Sequence, residues 1–292
     1  MNHEIDFYDP DFLDKLKDLH IVTRKLFQGR FKGKRRSLKR GLSLEFADYR
    51  KYSPGDDFRF VDWNILARLK KIMVRSFWDE SNINIILFID VSKSMCFGDL
   101  SKSIYARKVA ACLSSVALEN HDSVGICLFS DGIARAISPV HGSNNLLKIF
   151  AILNSIKTDG KTNIHLSISQ YIKTIKDKGI AVVISDLFDS DGYKKSFAEL
   201  INKGFEVNVI HLKSGNVDYD KISHNVCLED SETGEYLHAD LDSDQVIDEE
   251  KKYCNEIRMY CLSNQIAYFP VETSYPFDKF VLDYFKYHIT AG

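Results

Sequence analysis

The sequence contains no apolar run approaching the ~20 residues that a membrane-spanning helix needs. Its first residues, Met1–Asp6, are partly acidic and lack the apolar stretch of a secretory signal peptide. The charge is nearly balanced, with 39 Lys and Arg against 41 Asp and Glu, so overall charge indicates nothing about nucleic acid. We therefore expect a cytoplasmic protein.

Cysteine is sparse, and its spacing indicates neither metal-binding pairs nor a disulfide framework. None of the six Cys residues forms a Cys-x-x-Cys motif or lies near paired His residues, which excludes the common zinc-binding spacings. Cys112 and Cys127 stand among apolar neighbours and are typical of small core residues. This usage favours a reducing compartment over a disulfide framework.

The motifs of several large enzyme classes are missing. No Gly-x-x-x-x-Gly-Lys-Ser/Thr loop is present, which argues against ATP hydrolysis by the chain itself. No Gly-x-Ser-x-Gly elbow is present either. With 45% hydrophobic residues over 292 positions, the chain is long enough to bury a substantial core.

One apolar segment stands out because it leads directly into polar side chains. Ile83–Ile89 has a single polar residue, Asn84, and is typical of a buried central strand of a parallel sheet. Asp90, Ser92 and Ser94 follow it at alternate positions. Ligands in open α/β folds bind at the carboxyl ends of such strands, and these oxygen donors suit Mg²⁺ or Ca²⁺.

Two later segments extend this candidate site. Thr162 precedes an amphipathic helical pattern, and Asp186 ends a second apolar strand, Ala181–Ser185. Taken alone, Thr162 is equally typical of a helix N-cap and Asp186 of an ordinary strand end. The ordered set resembles the metal-ion-dependent adhesion site of von Willebrand factor A domains, in which the Ser and Thr side chains coordinate the metal and the Asp residues act directly or through water. The predicted ligands are Asp90, Ser92, Ser94, Thr162 and Asp186, with Mg²⁺ as the expected ion and Mn²⁺ or Ca²⁺ as alternatives.

Strand and helix patterns alternate from Ile83 to His211. This alternation predicts right-handed βαβ crossovers and therefore an α/β fold with a doubly wound, mostly parallel sheet. Ile133–Ile137 is predicted to pair as an antiparallel hairpin at one edge, and Val226–Leu228 as an edge strand. We divide the chain into an N-terminal extension, residues 1–82, and the α/β domain, residues 83–292.

The N-terminal extension is basic. Nine Lys or Arg residues lie between Arg24 and Arg40, and no acidic residue lies between Asp18 and Glu45. Phe27 and Phe31 interleave with the basic residues, which leaves nucleic-acid binding open as an alternative function. The favoured interpretation is a solvated basic segment that docks on an acidic protein face.

A dense block of charged and aromatic residues follows. Its members are Glu45, Asp48, Tyr49, Arg50, Tyr52, Pro54, Gly55, Asp56, Asp57, Arg59, Asp62, Trp63, Ala67 and Arg68. This block resembles the signature of the domain of unknown function 58 family, whose members join it to a von Willebrand factor A-like core. Many relatives carry two transmembrane helices before the block; here a basic segment stands in that place, so anchoring does not carry over.

The resemblance implies a role rather than a reaction. Members of that family are usually encoded beside MoxR-type AAA ATPases, which implies an adaptor in a chaperone-like assembly. The adhesion-site resemblance implies a protein partner that offers an acidic residue to the metal. A phosphoryl-transfer enzyme with Asp90 as nucleophile is a weaker alternative, because the usual second Asp is replaced by Ser92.

Overall fold

The computed structural model describes residues 5–30, 36–37, 46–77, 79–80, 83–96, 102–156, 162–175, 177–189, 192–215, 226–229, 236–239 and 243–290. The helices in these ranges are α1 (Pro10–Arg30), α2 (Trp63–Leu69), α3 (Lys102–Glu119), α4 (Leu146–Asn154), α5 (Ile164–Ile172), α6 (Gly192–Asn202), α7 (Ser243–Ser263) and α8 (Phe277–Thr290). The strands are β1 (Arg36–Ser37), β2 (Phe46–Lys51), β3 (Met73–Phe77), β4 (Asp79–Glu80), β5 (Asn84–Asp90), β6 (Ser123–Phe129), β7 (Ile133–His141), β8 (Gly179–Ser185), β9 (Glu206–Lys213), β10 (Val226–Glu229), β11 (Tyr236–Ala239) and β12 (Ala267–Glu272).

Six strands form the main sheet in the order β12-β9-β8-β5-β6-β7. All neighbouring pairs are parallel except β6 and β7, which pair antiparallel. Counted within this sheet, the order is 3-2-1-4-5-6, the doubly wound arrangement. The predicted fold class is therefore confirmed, including the antiparallel edge strand.

Both faces of this sheet are covered, which explains the continuous apolar runs of its strands. Side chains of a strand alternate between the two faces, and β5 shows this directly. Leu87 and Ile89 lie in one buried cluster, which also contains residues of α3, α4 and α8. Ile86 and Phe88 lie in a second cluster on the other face, with residues of α5, α6 and α7.

The edge strand predicted at Val226–Leu228 forms part of β10, and the sequence pattern named no partner for it. β10 pairs antiparallel with β11 in a separate two-stranded sheet, not with the main sheet. The edge position beside β9 is taken by β12, which pairs with it over six residues. A short apolar strand carries no local signal of its partner, so the sequence pattern did not distinguish these arrangements.

The chain divides into two compact units. The α/β unit comprises Met1–Thr23 and Ile83–Tyr287, and the N-terminal unit comprises Arg24–Asn82 with His288–Gly292. Our sequence partition placed all of residues 1–82 together, whereas the first 23 residues lie with the α/β unit. The physical reason is apolar burial: Phe7, Phe12 and Leu19 are at most 4% exposed and belong to the first core cluster.

Much of the basic segment Arg24–Arg40 lies outside the described residues, as does the acidic turn after Glu229. Among the residues that the structure does describe, no helix is long and apolar enough to cross a bilayer.

Candidate metal centre at the carboxyl edge of the sheet

The predicted site lies where the sheet changes winding direction. From β5 the chain proceeds to β6 and β7 on one side, and β8 leads to β9 and β12 on the other. Adjacent loops that depart in opposite directions leave a crevice at the carboxyl ends of the two central strands. Ile89 pairs with Ile184, so Asp90 and Ser185 are the next residues at that crevice.

Asp90 is fully buried at this point, with 0% of its surface exposed. Its Oδ1 accepts a hydrogen bond from the Ser92 amide at 2.9 Å, and its Oδ2 accepts one from the Ser185 hydroxyl at 2.6 Å. Burial, together with the nearby Asp186 carboxylate, raises the pKa of Asp90 to about 7. Two hydrogen bonds thus fix the carboxylate without neutralising its charge.

The two Ser hydroxyls lie side by side on the loop after β5. Ser92 Oγ and Ser94 Oγ are 3.0 Å apart and share a hydrogen bond. Both residues are buried, whereas Lys93 between them is exposed. Octahedral Mg²⁺ with bonds of about 2.1 Å places neighbouring ligand oxygens about 3 Å apart. The observed spacing of these hydroxyls therefore matches that of adjacent ligands.

Asp186 already has a cationic partner. Lys102, the first residue of α3, places its ammonium nitrogen 2.5 Å from Asp186 Oδ2, and the two side chains are 6% and 1% exposed. The second carboxylate oxygen accepts a long hydrogen bond of 3.4 Å from the Phe188 amide. Lys102 is not among the residues that the sequence patterns predict for this site.

Leu187, between Asp186 and Phe188, has a left-handed backbone with φ of 57°. A non-glycine residue held in this region costs on the order of 1–3 kcal/mol, and such strain collects at functional sites. Several hydrogen bonds hold it: its amide donates to Ser185 Oγ at 2.8 Å, and its carbonyl accepts from the Asp189 amide and the Tyr253 hydroxyl. The loop after β8 is therefore fixed rather than adaptable.

Thr162 lies half-buried in the residues leading into α5. The helix N-cap is its neighbour Asn163, whose side chain accepts from the Leu166 amide, so the N-cap interpretation of Thr162 was wrong. The Asn163 amide donates to the Ser130 carbonyl after β6 at 2.7 Å. The Ile164 amide donates to Asp189 after β8 at 3.1 Å, so the backbone around Thr162 is joined to the same edge of the sheet.

The residues present fit a hard divalent cation. Two carboxylates and two hydroxyls supply oxygen donors, and one ammonium leaves the buried set with an excess of negative charge when both carboxylates are ionised. Within the described ranges, no three His, Cys, Asp or Glu side chains gather as metal ligands. A metal here depends on hydroxyl oxygens, as the adhesion-site pattern requires.

Three further residues shape the site and were not assigned to it from the sequence: Lys102, Ser185 and His211. His211 hydrogen-bonds the Asp186 carbonyl through Nε2 at 3.1 Å and the Tyr268 hydroxyl through Nδ1 at 2.7 Å. Burial lowers the pKa of His211 to about 4, so it is a neutral structural residue. Lys102 did carry a signal, because Lys is unfavourable at the positive end of a helix dipole.

Residues 48–256 match the family described as "Protein of unknown function DUF58", which is more than two thirds of the chain. The chain belongs to the DUF58 family. This match begins within the charged block that suggested the resemblance and extends through both strand-end Asp residues, so the predicted family is confirmed.

Relatives of this DUF58 chain are distant. "Uncharacterized protein Rv1480" of Mycobacterium tuberculosis is 23% identical over 243 residues, which cover 81% of this chain and 76% of that protein. Among solved structures, the conserved hypothetical protein BatB from Bacteroides thetaiotaomicron is 16% identical with a TM-score of 0.45, covering 72% of this chain and all of that one. The SpRpn10 VWA domain is 12% identical with a TM-score of 0.40, covering 70% and 95%.

Proposed function

We propose that this DUF58 protein is a non-enzymatic, metal-dependent protein-binding module that works as an adaptor of a MoxR-type AAA ATPase. The observation that supports it is the pair of buried carboxylates, Asp90 and Asp186, at the crevice between β5 and β8. One ammonium does not balance them. Ser92, Ser94 and Thr162 complete the proposed ligand set for Mg²⁺.

When bound, the ion supplies an electrophilic position for a carboxylate of the partner. The protein's own residues prepare that position. The Ser92 amide and the Ser185 hydroxyl orient Asp90 so that its charge faces a fixed direction. Three of the five proposed ligands, Ser92, Ser94 and Thr162, are neutral hydroxyls, so the ion would still attract an acidic partner residue.

The geometry favours binding over phosphoryl transfer. Asp90 as an aspartyl nucleophile would need a nearby general acid, which in the usual pattern is a second Asp two residues on. The residue two positions on is Ser92, a hydroxyl that hydrogen-bonds Ser94.

Metal binding is tested by titrating MgCl₂ and MnCl₂ into the chelator-treated protein in a calorimeter. Saturable binding to the wild type, weakened by about tenfold or more in Asp90→Asn and Ser92→Ala, is expected on the loss of a ligand. Asp131→Asn is the matched control, because this exposed carboxylate follows β6 at the same edge of the sheet. Equal binding by all four proteins would refute the site.

Partner binding is tested by capture of the purified MoxR-type ATPase from the same genome. Retention in Mg²⁺, loss with EDTA and loss with Asp90→Asn are the expected results. Retention that is indifferent to EDTA and to Asp90→Asn would refute metal-dependent adhesion. A phosphatase activity abolished by Asp90→Asn would instead favour the enzyme alternative.

A further inference from the structure

Lys102 is held inside the proposed metal centre by two contacts. Its ammonium nitrogen lies 2.5 Å from Asp186 Oδ2 and 5.2 Å from the centre of the Phe188 ring. The ring of Phe188 stacks in turn on Tyr253, with centroids 6.1 Å apart and planes 5° from parallel. The Lys side chain is only 6% exposed, so these partners replace most of its contacts with water.

The start of α3 is an unfavourable position for a Lys side chain. The start of a helix carries a partial positive charge, which repels an ammonium at its first residue. Removing an ammonium from water is costly unless it is paired. The ion pair with Asp186 therefore compensates for both, and the same pairing neutralises a carboxylate that the proposed function assigns to the metal.

We propose that Lys102 is an internal cation that occupies Asp186 in the metal-free protein and is displaced when a divalent ion binds. This inference rests on the proposed function and names the residue that controls its site. Lys102 then sets the metal affinity, because the ion must release the ammonium from Asp186.

Competition and structural support predict opposite changes in metal affinity when Lys102 is replaced. If Lys102 merely supported the fold of the site, its removal would weaken metal binding. If it competes, removal of its charge strengthens binding, because the ion no longer displaces an ammonium or meets its repulsion. A change of at least about tenfold is expected, because one charge a few ångströms from an ion interacts with it by several RT even at an effective dielectric constant near 20.

The test is calorimetric titration of MgCl₂ into the full chain, comparing wild type, Lys102→Gln and Lys102→Met. Gln keeps a hydrogen-bond donor for Asp186, so it guards against loss of folding in the Met variant. Lys93→Gln is the matched control: it removes the same charge from an exposed position between the two Ser ligands. Lys102→Gln is expected to bind Mg²⁺ at least about tenfold more tightly, with a much smaller change for Lys93→Gln.

The wild type provides an independent measurement. Amines are labelled with a Lys-reactive acylating reagent in EDTA and in saturating MgCl₂, and labelling of Lys102 is read by mass spectrometry. Protection in EDTA and at least a several-fold gain in Mg²⁺ are expected, with unchanged labelling of Lys93. Labelling of Lys102 that does not respond to Mg²⁺ at concentrations that saturate the wild type in the calorimeter would overturn displacement.

The outcomes separate the two proposals. Saturable binding to the wild type with equal or weaker binding to Lys102→Gln overturns the inference and leaves the proposed function standing. Binding to Lys102→Gln alone supports the inference and shows why the wild type resists the metal. No binding to any of these proteins overturns both.

Discussion

Asp62 in the N-terminal unit and Asp90 in the α/β unit are both buried aspartates, yet their surroundings differ in kind. Asp62 is 4% exposed and accepts from the Arg75 guanidinium at 2.6 and 2.9 Å, from the Tyr49 hydroxyl at 2.9 Å, and from two amides at the start of α2. Asp90 is 0% exposed and accepts one amide and one hydroxyl.

The difference appears in the direction of the pKa. The Arg75 guanidinium lowers the pKa of Asp62 to about 2, whereas burial and Asp186 raise the pKa of Asp90 to about 7. A carboxylate with its own guanidinium stabilises the fold as an anion. A buried carboxylate with hydrogen bonds but no adjacent cation is costly as an anion, and such a site is typical of a binding function. The comparison thus separates a structural aspartate from a candidate functional one.

The largest expected effect is on the free energy of unfolding, which Asp90→Asn should raise and Asp62→Asn should lower. In EDTA at pH 8, Asp90→Asn should raise the free energy of unfolding, because the amide removes a buried charge while offering an acceptor to Ser92 and a donor to Ser185. Burial and the neighbouring Asp186 carboxylate raise the pKa of Asp90, which gives the direction, and a gain on the order of 1–3 kcal/mol is expected for relieving a poorly compensated buried group. Urea unfolding measures it, and a less stable Asp90→Asn protein would contradict the assignment.

The second prediction concerns the pH dependence of the metal-free wild type. The folded pKa of Asp90 is about 7 and the reference value is 3.8, so between these pH values the folded state binds more protons than the unfolded state. Asp90 therefore removes stability as the pH rises from about 4 to 7, and the full loss is present above pH 7. Subtracting the urea profile of Asp90→Asn from that of the wild type isolates this contribution; parallel profiles would refute it.

A smaller and more local effect is expected at Asp62. Its lowered pKa means that its contribution to stability is present above pH 4 and is lost as the pH falls towards 2. Asp62→Asn keeps a capping oxygen but loses the charge that pairs with Arg75 and strengthens the bonds to the capped amides, and so should speed hydrogen exchange at Asn64 and Ile65. Exchange measured by mass spectrometry tests this at pH 7.

Asp57→Asn is the matched control for that measurement. Asp57 pairs with Arg59 over two residues on an exposed surface, and exposed pairs contribute little. It should leave the exchange of the α2 amides unchanged. Equal acceleration by Asp57→Asn and Asp62→Asn would show that loss of any acidic side chain speeds exchange in this unit. That result would contradict the specific structural role of Asp62 on which the contrast with Asp90 depends.

Local sequence patterns were enough to predict the strands of the main sheet and the order of the candidate site residues along the chain. The apolar runs of β5 and β8 are local patterns, and an Asp directly after each such run must lie at the carboxyl edge. The antiparallel strand β7 was likewise predictable, because the turn signal Ser130–Gly132 joins it directly to β6.

The side chains that contact these residues depend on the packing of elements that are distant in the sequence. Lys102 contacts Asp186 across 84 positions, and Ser185 contacts Asp90 across 95. Phe7 and Phe12 pack in the core of a unit whose remaining residues begin at Ile83. Contacts of such separation leave no periodicity in the chain, because they depend on how elements pack rather than on the residues beside them. The candidate ligands were therefore open to prediction from local patterns, whereas the pairing of Lys102 with Asp186 was not.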